Sequence, residues 1–323
     1  MEYIKNMLDF HISEPAAVSL GKFDGLHLGH KYLIRELEKS RAMGYKSVIF
    51  TFDVPPRSLK DNNYKVLLTN REKEQIFAEA GIDYVIECPF TEEFKNMTPG
   101  EFLEMLTEKI PVREIVAGTD FRFGKNRSGG PDELLRYEKK LGYRAVIVDK
   151  MQYGGEDVSS TRIRSEIAKG RMEEANALLG YPYFLDAPVV HGNELGRTLG
   201  FPTVNQRPSR EKLLPPNGVY VSLVTVGGET FYGVTNIGNK PTIGGGYPTG
   251  VETYIFDFDR QIYDREIRVS FLSFLRPELK FFSVEELRTQ IERDRREALE
   301  YGRNHRESGN CRNGNNIVSM KNI

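Results

Sequence analysis

The chain has 323 residues, about twice the length of an ordinary domain, so two domains are expected. Its 45 Lys+Arg against 46 Asp+Glu leave a formal charge of −1 and a pI near 6.6, which excludes bulk attraction to nucleic acid or an anionic membrane. With 39% hydrophobic residues, 28% charged residues and a mean hydropathy of −0.47, the composition is neither disordered nor fibrous.

The two cysteines, Cys88 and Cys311, are too few for a disulfide framework or a Cys-rich zinc site. They suit a reducing cytoplasm. MEYIKNMLDFHISEP at the start has no apolar core of a signal peptide, and no apolar run approaches the ~20 residues of a membrane helix. A cytoplasmic enzyme is the expectation.

In chain order, PAAVSL (15–20) reads as a short buried strand ending at Gly21. A helix follows, with Leu28, Leu33, Ile34 and Leu37 at helical spacing and a stop at Gly44. SVIFTF (47–52) is a second strand, REKEQIFAEAG (71–81) a helix and IDYVIECPF (82–90) a strand. PGEFLEMLTEKI is helical from Pro99, REIVAG (113–118) a strand, PDELLRYEKKLG a helix and YRAVIVD (143–149) a strand. This alternation predicts an α/β Rossmann-like domain with a parallel sheet. Two short helices, stopped by Gly170 and Gly180, close it, and the domain boundary is placed near 182. From 184 to 275 the apolar stretches are short, alternating and separated by turns, which predicts a small antiparallel β-barrel. SVEELRTQIERDRREALEYG (283–302) is an amphipathic helix with a Ser283/Glu286 capping box. The remainder, 303–323, reads as a disordered tail.

Four segments carry chemistry. GKFDGLHLGH (21–30) follows the first strand and opens the first helix, so His27 and His30 lie on one side of the first turn. Gly25 and Gly29 allow close approach of a polyphosphate, and the helix start offers N–H groups and a positive dipole end. These could be ordinary surface histidines, but two of the five in the chain fall here within four residues. A metal site lacks a nearby third ligand. SSTRIR (159–164) places Ser159, Ser160, Thr161, Arg162 and Arg164 at another helix start; a plain N-cap with solvated arginines is the plainer reading. GTDFRFGKNRSGG (118–130) brings Asp120 and Arg122 to a cationic loop after a strand. Ligands of parallel sheets bind at the carboxyl ends of strands, which gathers these loops, with Asp53–Arg57, around one crevice. In the second half, HGNELGRTLGFPTVNQ (191–206) combines Gly192, Gly196 and Gly200 with Thr203 and Asn205, two neutral oxygen ligands facing one way on an extended segment. Composition alone leaves a Gly-rich hairpin ahead.

HLGH (27–30) resembles the HxGH signature of the nucleotidyltransferase superfamily, and VSSTRIR (158–164) its ISSTxIR segment. Class I aminoacyl-tRNA synthetases share the first signature, but no KMSKS-type loop is present. GRTLGFPTVN (196–205) resembles the GRxLGFPTAN motif of riboflavin kinases, with Val204 in place of the usual Ala. GVYVSLVTV (218–226), YGVTNIGNKPTI (232–243, with Asn236) and VETYIFDFDRQIYDREIRVSFLSFLRPELKF (251–281) resemble further segments of that family in order. Over roughly 15–302 the chain resembles the bacterial bifunctional riboflavin kinase/FAD synthetase family.

The resemblance implies ATP as co-substrate, Mg²⁺ as cofactor, riboflavin and FMN as substrates, and FMN and FAD as products. Glu252 would be the kinase base, Thr203 and Asn205 the Mg²⁺ ligands, and Gly192, Gly196, Arg197, Gly200 and Asn236 part of the nucleotide and flavin site. His27 and His30 would meet the α-phosphate of ATP. Gly21, Phe23, Asp24, Gly29, Asp120, Arg122, Ser159, Ser160, Thr161, Arg162 and Arg164 would help hold the nucleotide, Asp24 and Asp120 through either the nucleotide or Mg²⁺. Phe23 and Phe121 read equally as core aromatics. The family's TFDPHPR segment reads TFDVPPR here, with Pro55 where a histidine is expected. That departure keeps open a kinase with a weakened adenylyltransferase half. A flavin-binding regulator on an inactive scaffold and an unrelated adenylyltransferase are the other readings.

Overall fold

The alternation of apolar strands and amphipathic helices resolves into a parallel sheet in the first half. The computed structural model describes residues 1–5, 9–53, 63–192, 196, 200–239 and 249–307. Packing divides the chain into two compact units, one over Met1–Ser160 and one starting at Thr161.

In the first unit, strands β1 (Glu2–Lys5), β2 (Ala16–Leu20), β3 (Lys46–Phe52), β4 (Tyr84–Cys88), β5 (Val112–Gly118) and β6 (Arg144–Val148) form one sheet in the order β1-β4-β3-β2-β5-β6. Every neighbouring pair is parallel. Helices α1 (Leu28–Arg41), α2 (Asn70–Glu79), α3 (Glu92–Asn96), α4 (Pro99–Lys109) and α5 (Pro131–Leu141) connect the strands. β2 is buried at all five positions, as a central strand covered on both faces must be. Phe10, Phe50, Phe94 and Phe102 pack with Val18, Leu103 and Ile115 in the core beneath it. Connection order reverses between β2 and β5, and such a switch point opens a crevice at the carboxyl ends of those strands. The loops after β2 and β5 are Gly21–His27 and Thr119–Gly130.

Strand β1, the single-turn helix α3 and the small hairpin β7 (Gln152–Tyr153) with β8 (Glu156–Asp157) do not follow from the sequence pattern. β1 holds its edge place partly through side chains: Tyr3 donates to Glu87 Oε2 at 2.7 Å and Lys5 pairs with Glu74.

Helices α6 (Ser160–Ala168) and α7 (Met172–Leu179) lead into the barrel. From Thr161 onward they pack with the second unit, earlier than the boundary near 182 read from composition. The reason is Asn176: its amide donates to Phe271 O at 2.9 Å and its Oδ1 accepts from Tyr183 N at 2.7 Å. Gly180, at φ 72°, ends the helix without ending the packing.

Strands β9 (Tyr183–Val190), β10 (Thr203–Gln206), β11 (Gly218–Val226), β12 (Glu229–Asn239), β13 (Thr249–Ile255) and β14 (Glu266–Arg276) close an antiparallel barrel in the order β10-β13-β12-β11-β14-β9. Its inward residues include Thr235 and Thr253, both fully buried, whose hydroxyls bond at 2.9 Å. Helix α8 (Val284–Glu307) covers part of the outer face through Ala298 and Leu299, packed with Val221, Leu223 and Phe256. It runs five residues past 302, because Tyr301 and His305 stack at 3.9 Å and carry the helix into the expected tail. The tail from 308 lies outside the described residues.

Candidate active sites

The first site is built on the turn from β2 into α1. Phe23, Gly25 and Leu26 have φ of 48°, 85° and 38°. Only the glycine adopts that region freely; Phe23 and Leu26, both without exposed surface, are held there by burial. Asp24 pins the turn twice. Its Oδ1 accepts from Leu67 N at 2.9 Å, and its carbonyl accepts from Ser160 Oγ at 2.8 Å. Asp24 is therefore a buried anchor of the loop as well as a member of the predicted set.

His27 is the N-cap of α1, its side chain caps nothing, and the first turn holds no acidic residue. The helix end is left with its positive character. The His27 and His30 rings stack with centroids 3.8 Å apart and planes at 25°. Both Nδ1 atoms are buried without a hydrogen-bond partner. Phe23 lies 5.2 Å from the His30 ring and edge-on to Phe77, so it supports the imidazole from within the core. Gly29 is required by this stack, because a Cβ there would lie 3.2 Å from the His27 ring. Burial pushes His27 down to about 4, partly opposed by the Asp120 charge. Burial, then the neighbouring His27, holds His30 well below the ordinary histidine range. At neutral pH this is a pair of neutral imidazoles at a positive helix end, each with one N–H to donate.

Around this pair the predicted residues divide. Gly21 lies beside Phe23, where a Cβ would come within 3.1 Å of the ring. Asp120 is exposed and pairs with Lys150 at 3.4 Å. Arg122 is exposed and folds back onto its own loop, donating to Phe121 O at 2.7 Å. Ser159 is half-buried, and Ser160 begins α6 while its hydroxyl holds the Asp24 carbonyl. Thr161, exposed, starts the second unit, and Arg162 on α6 pairs with Glu174 on α7 at 3.0 Å. Arg164 is half-buried. Pro55 and Arg57 lie outside the described residues. Asp53 is described: its carboxylate accepts from Phe90 N at 3.3 Å and its carbonyl from Asn70 Nδ2 at 2.8 Å. Lys31, four residues after His27 on α1, is 5% exposed and pushed down to about 8 by burial.

The second site lies on the barrel. Pairing aligns Asn205 of β10 with Glu252 of β13, and Glu252 with Asn236 of β12. Directly paired residues share a face, so two carboxamides flank one carboxylate in a row across three strands. All three are half-buried, and they alternate with the inward Val204, Thr253 and Thr235. Thr203 joins them diagonally: its hydroxyl donates to Glu252 Oε1 at 2.5 Å. The glycines explain the space around this row. A Cβ on Gly192 would collide with the Asn205 carboxamide, and one on Gly196 would lie 3.1 Å from Thr203 Oγ1. Gly200 takes φ 83°, which closes the loop before Phe201. Arg197 lies outside the described residues. Among the described residues no group of three or more His, Cys, Asp or Glu could hold a metal.

Comparison with known proteins agrees with this division of labour. The FAD synthetase family model matches residues 9–162, and the riboflavin kinase family model matches 179–302. A bifunctional riboflavin kinase/FMN adenylyltransferase of Listeria monocytogenes is 37% identical over 281 residues, 86% of this chain and 89% of the relative. The protein of that name from Bacillus subtilis is 34% identical, over 93% of this chain and all of the relative. The one from Escherichia coli is 36% identical, over 89% and 93%. A crystal structure of a Streptococcus pneumoniae protein described as a macrolide-efflux protein superposes with a TM-score of 0.82 at 31% identity, covering 91% of this chain and 97% of that one. Among the described residues no helix here is long and apolar enough to cross a membrane. With both family models matched in order and relatives aligned along most of its length, the chain belongs to the bifunctional riboflavin kinase/FMN adenylyltransferase family.

Proposed function

We propose that this chain converts riboflavin to FAD in two ATP-dependent steps, the barrel unit phosphorylating riboflavin and the sheet unit adenylylating the FMN formed. The observation that carries the reading is the presence, in one chain, of two family-model matches in order, with His27 and His30 inside the first and Thr203, Asn205, Asn236 and Glu252 inside the second. By sequence the adenylyltransferase domain is taken as 1–182 and the kinase domain as 183–302, although α6 and α7 fall in the second unit by packing. Cytoplasmic residence belongs to the same reading, supported by dependence on ATP and by the low cysteine count.

In the kinase step, the riboflavin 5′-hydroxyl oxygen attacks the γ-phosphorus of ATP, its proton passes to Glu252, and ADP leaves. Gly192, Gly196 and Gly200 let the backbone approach the phosphates, Arg197 adds charge there, and Asn236 orients the carboxylate from the opposite side. Thr203 and Asn205 fit Mg²⁺ in their chemistry, since both offer neutral oxygens from one face of β10, and Gly192 lets the loop backbone pack directly against the Asn205 carboxamide. Bound there, the ion would neutralise charge on the phosphates. In the adenylyl step, an FMN phosphate oxygen attacks the α-phosphorus of ATP and pyrophosphate leaves. His27 and His30 donate N–H groups to the oxygens of the pentacovalent phosphorus, helped by the α1 terminus. Arg162 and Arg164, with Ser159 and Thr161, bind phosphate, and Asp120 and Arg122 line the approach.

The test is a time course of purified protein with riboflavin, ATP and Mg²⁺, read by flavin chromatography. The expected result is FMN first and FAD after it. FMN accumulating without FAD leaves a riboflavin kinase, the second reading that Pro55 favours, and makes Pro55→His the variant to test. Flavin bound but never converted overturns both.

A further inference from the structure

Thr203, Asn205 and Glu252 are all engaged within the chain: the threonine donates to the carboxylate, and the other two take part in further interactions. Asn236 differs. Among the described residues its carboxamide has no hydrogen-bond partner, although it stands directly opposite Glu252 and is half-buried. A carboxamide carries two donors and an acceptor, and leaving them partly desolvated and unbonded has a cost that a bound polar group removes. With no bond to Glu252, Asn236 acts on that carboxylate only through a molecule lying between them. Its neighbours on the same face are Val234 and Gly238 along β12 and Val219 across on β11, none with a polar side chain. Glu278, which packs on Gly238, already accepts from Asn217 Nδ2 at 3.3 Å. The position of the carboxamide also has a direction. Thr203 and Asn205, assigned to the phosphate side, belong to β10 on one side of β13, and Asn236 belongs to β12 on the other. Phosphoryl transfer holds the attacking and leaving oxygens roughly in line, so the carbon chain of the acceptor points away from ATP, toward β12. On riboflavin the group next to the reacting 5′-hydroxyl is the 4′-hydroxyl. Facing side chains on paired strands stand about 5 Å apart, a spacing that hydroxyls on adjacent carbons bridge, one to each partner.

We propose that Asn236 is a specificity residue of the kinase step: its carboxamide hydrogen-bonds the 4′-hydroxyl of riboflavin and so holds the 5′-hydroxyl against Glu252. The inference rests on the kinase reading above and adds to it which part of the substrate the β12 side of the row recognises.

The experiment uses the full chain with ATP and Mg²⁺ and compares riboflavin, 4′-deoxyriboflavin and 3′-deoxyriboflavin, all of which keep the reacting hydroxyl. All phosphorylated flavin is counted, so further conversion by the adenylyltransferase unit does not disturb the rate. Wild type should phosphorylate 4′-deoxyriboflavin with a kcat/KM about 10-fold below that for riboflavin. Asn236→Ala should lose about 10-fold on riboflavin and on 3′-deoxyriboflavin, yet stay within about 2-fold of wild type on 4′-deoxyriboflavin, where the bond is already missing. If 4′-deoxyriboflavin turns over too slowly to follow, the same cycle is read as dissociation constants from quenching of flavin fluorescence in the presence of ADP and Mg²⁺. If Asn236→Ala does not fold, judged by its melting curve, Asn236→Leu, close to asparagine in size, takes its place. A purely structural asparagine would lower all three flavins alike, and that result overturns the proposal. So does a variant with wild-type kcat/KM on riboflavin, or one whose loss disappears with 3′-deoxyriboflavin in place of the 4′-deoxy compound. Wild-type protein that phosphorylates no flavin overturns the kinase reading instead, and that control is run first.

Discussion

His27 is 8% exposed, and its imidazole stays neutral until about pH 4, against 6.5 for a free histidine. The unfolded chain therefore binds this proton at a higher pH than the folded one. The stabilising contribution is complete above about pH 6.5 and is lost as pH falls toward 4. For this residue alone the loss amounts to about 3 kcal/mol. Melting curves across that window should fall steeply for the wild type and less steeply for His27→Gln. Equal slopes would show that the imidazole is protonated inside the fold. Which residues share this turn was legible from GKFDGLHLGH; that the two rings stack was not. Stacking depends on Phe23 and Leu26 being forced to positive φ by core packing, and no local pattern encodes that. The same limit explains Asp24, read as a ligand and found also to pin the turn through residues 43 and 136 positions away.

Among elements, the joint between β14 and α8 is the most exposed to a single change. Arg276 and Asp294 form a two-point bond of 2.9 and 2.6 Å, Asp294 is 2% exposed, and Gln290 adds a third contact at 2.8 Å. Asp294→Ala leaves the half-buried Arg276 guanidinium without its carboxylate and should cost about 2–3 kcal/mol, read as a lower denaturant midpoint. Strands and helices with strong periodicity, β2 to β6 and α4 to α8, were readable because their burial follows their own pattern. β1 was not, since four residues carry too little period and their place depends on Glu74 and Glu87, far along the chain. The early packing of α6 and α7 with the barrel was hidden for the same reason: Asn176 looks like any polar helix residue until Phe271 and Tyr183 are beside it.

At the scale of the molecule, the histidine pair on α1 and the row on the barrel should fail separately. Gly29→Ala pushes against the His27 ring and should lower conversion of supplied FMN to FAD about 100-fold, while riboflavin phosphorylation continues and FMN accumulates. Gly192→Ala drives the Asn205 carboxamide aside and should do the reverse. Loss of both activities in either variant would mean that the two sites depend on each other. The bare start of α1 has a consequence for endurance. A helix whose N-cap side chain bonds nothing forgoes about 1 kcal/mol that a serine or aspartate would supply. A nucleotide phosphate seated there would supply it instead, so the substrate completes the fold it visits. Saturation with ATP should then slow proteolysis of residues 21–41 more than that of α4 and α5. The enzyme is then least protected at the start of α1 when ATP is scarce.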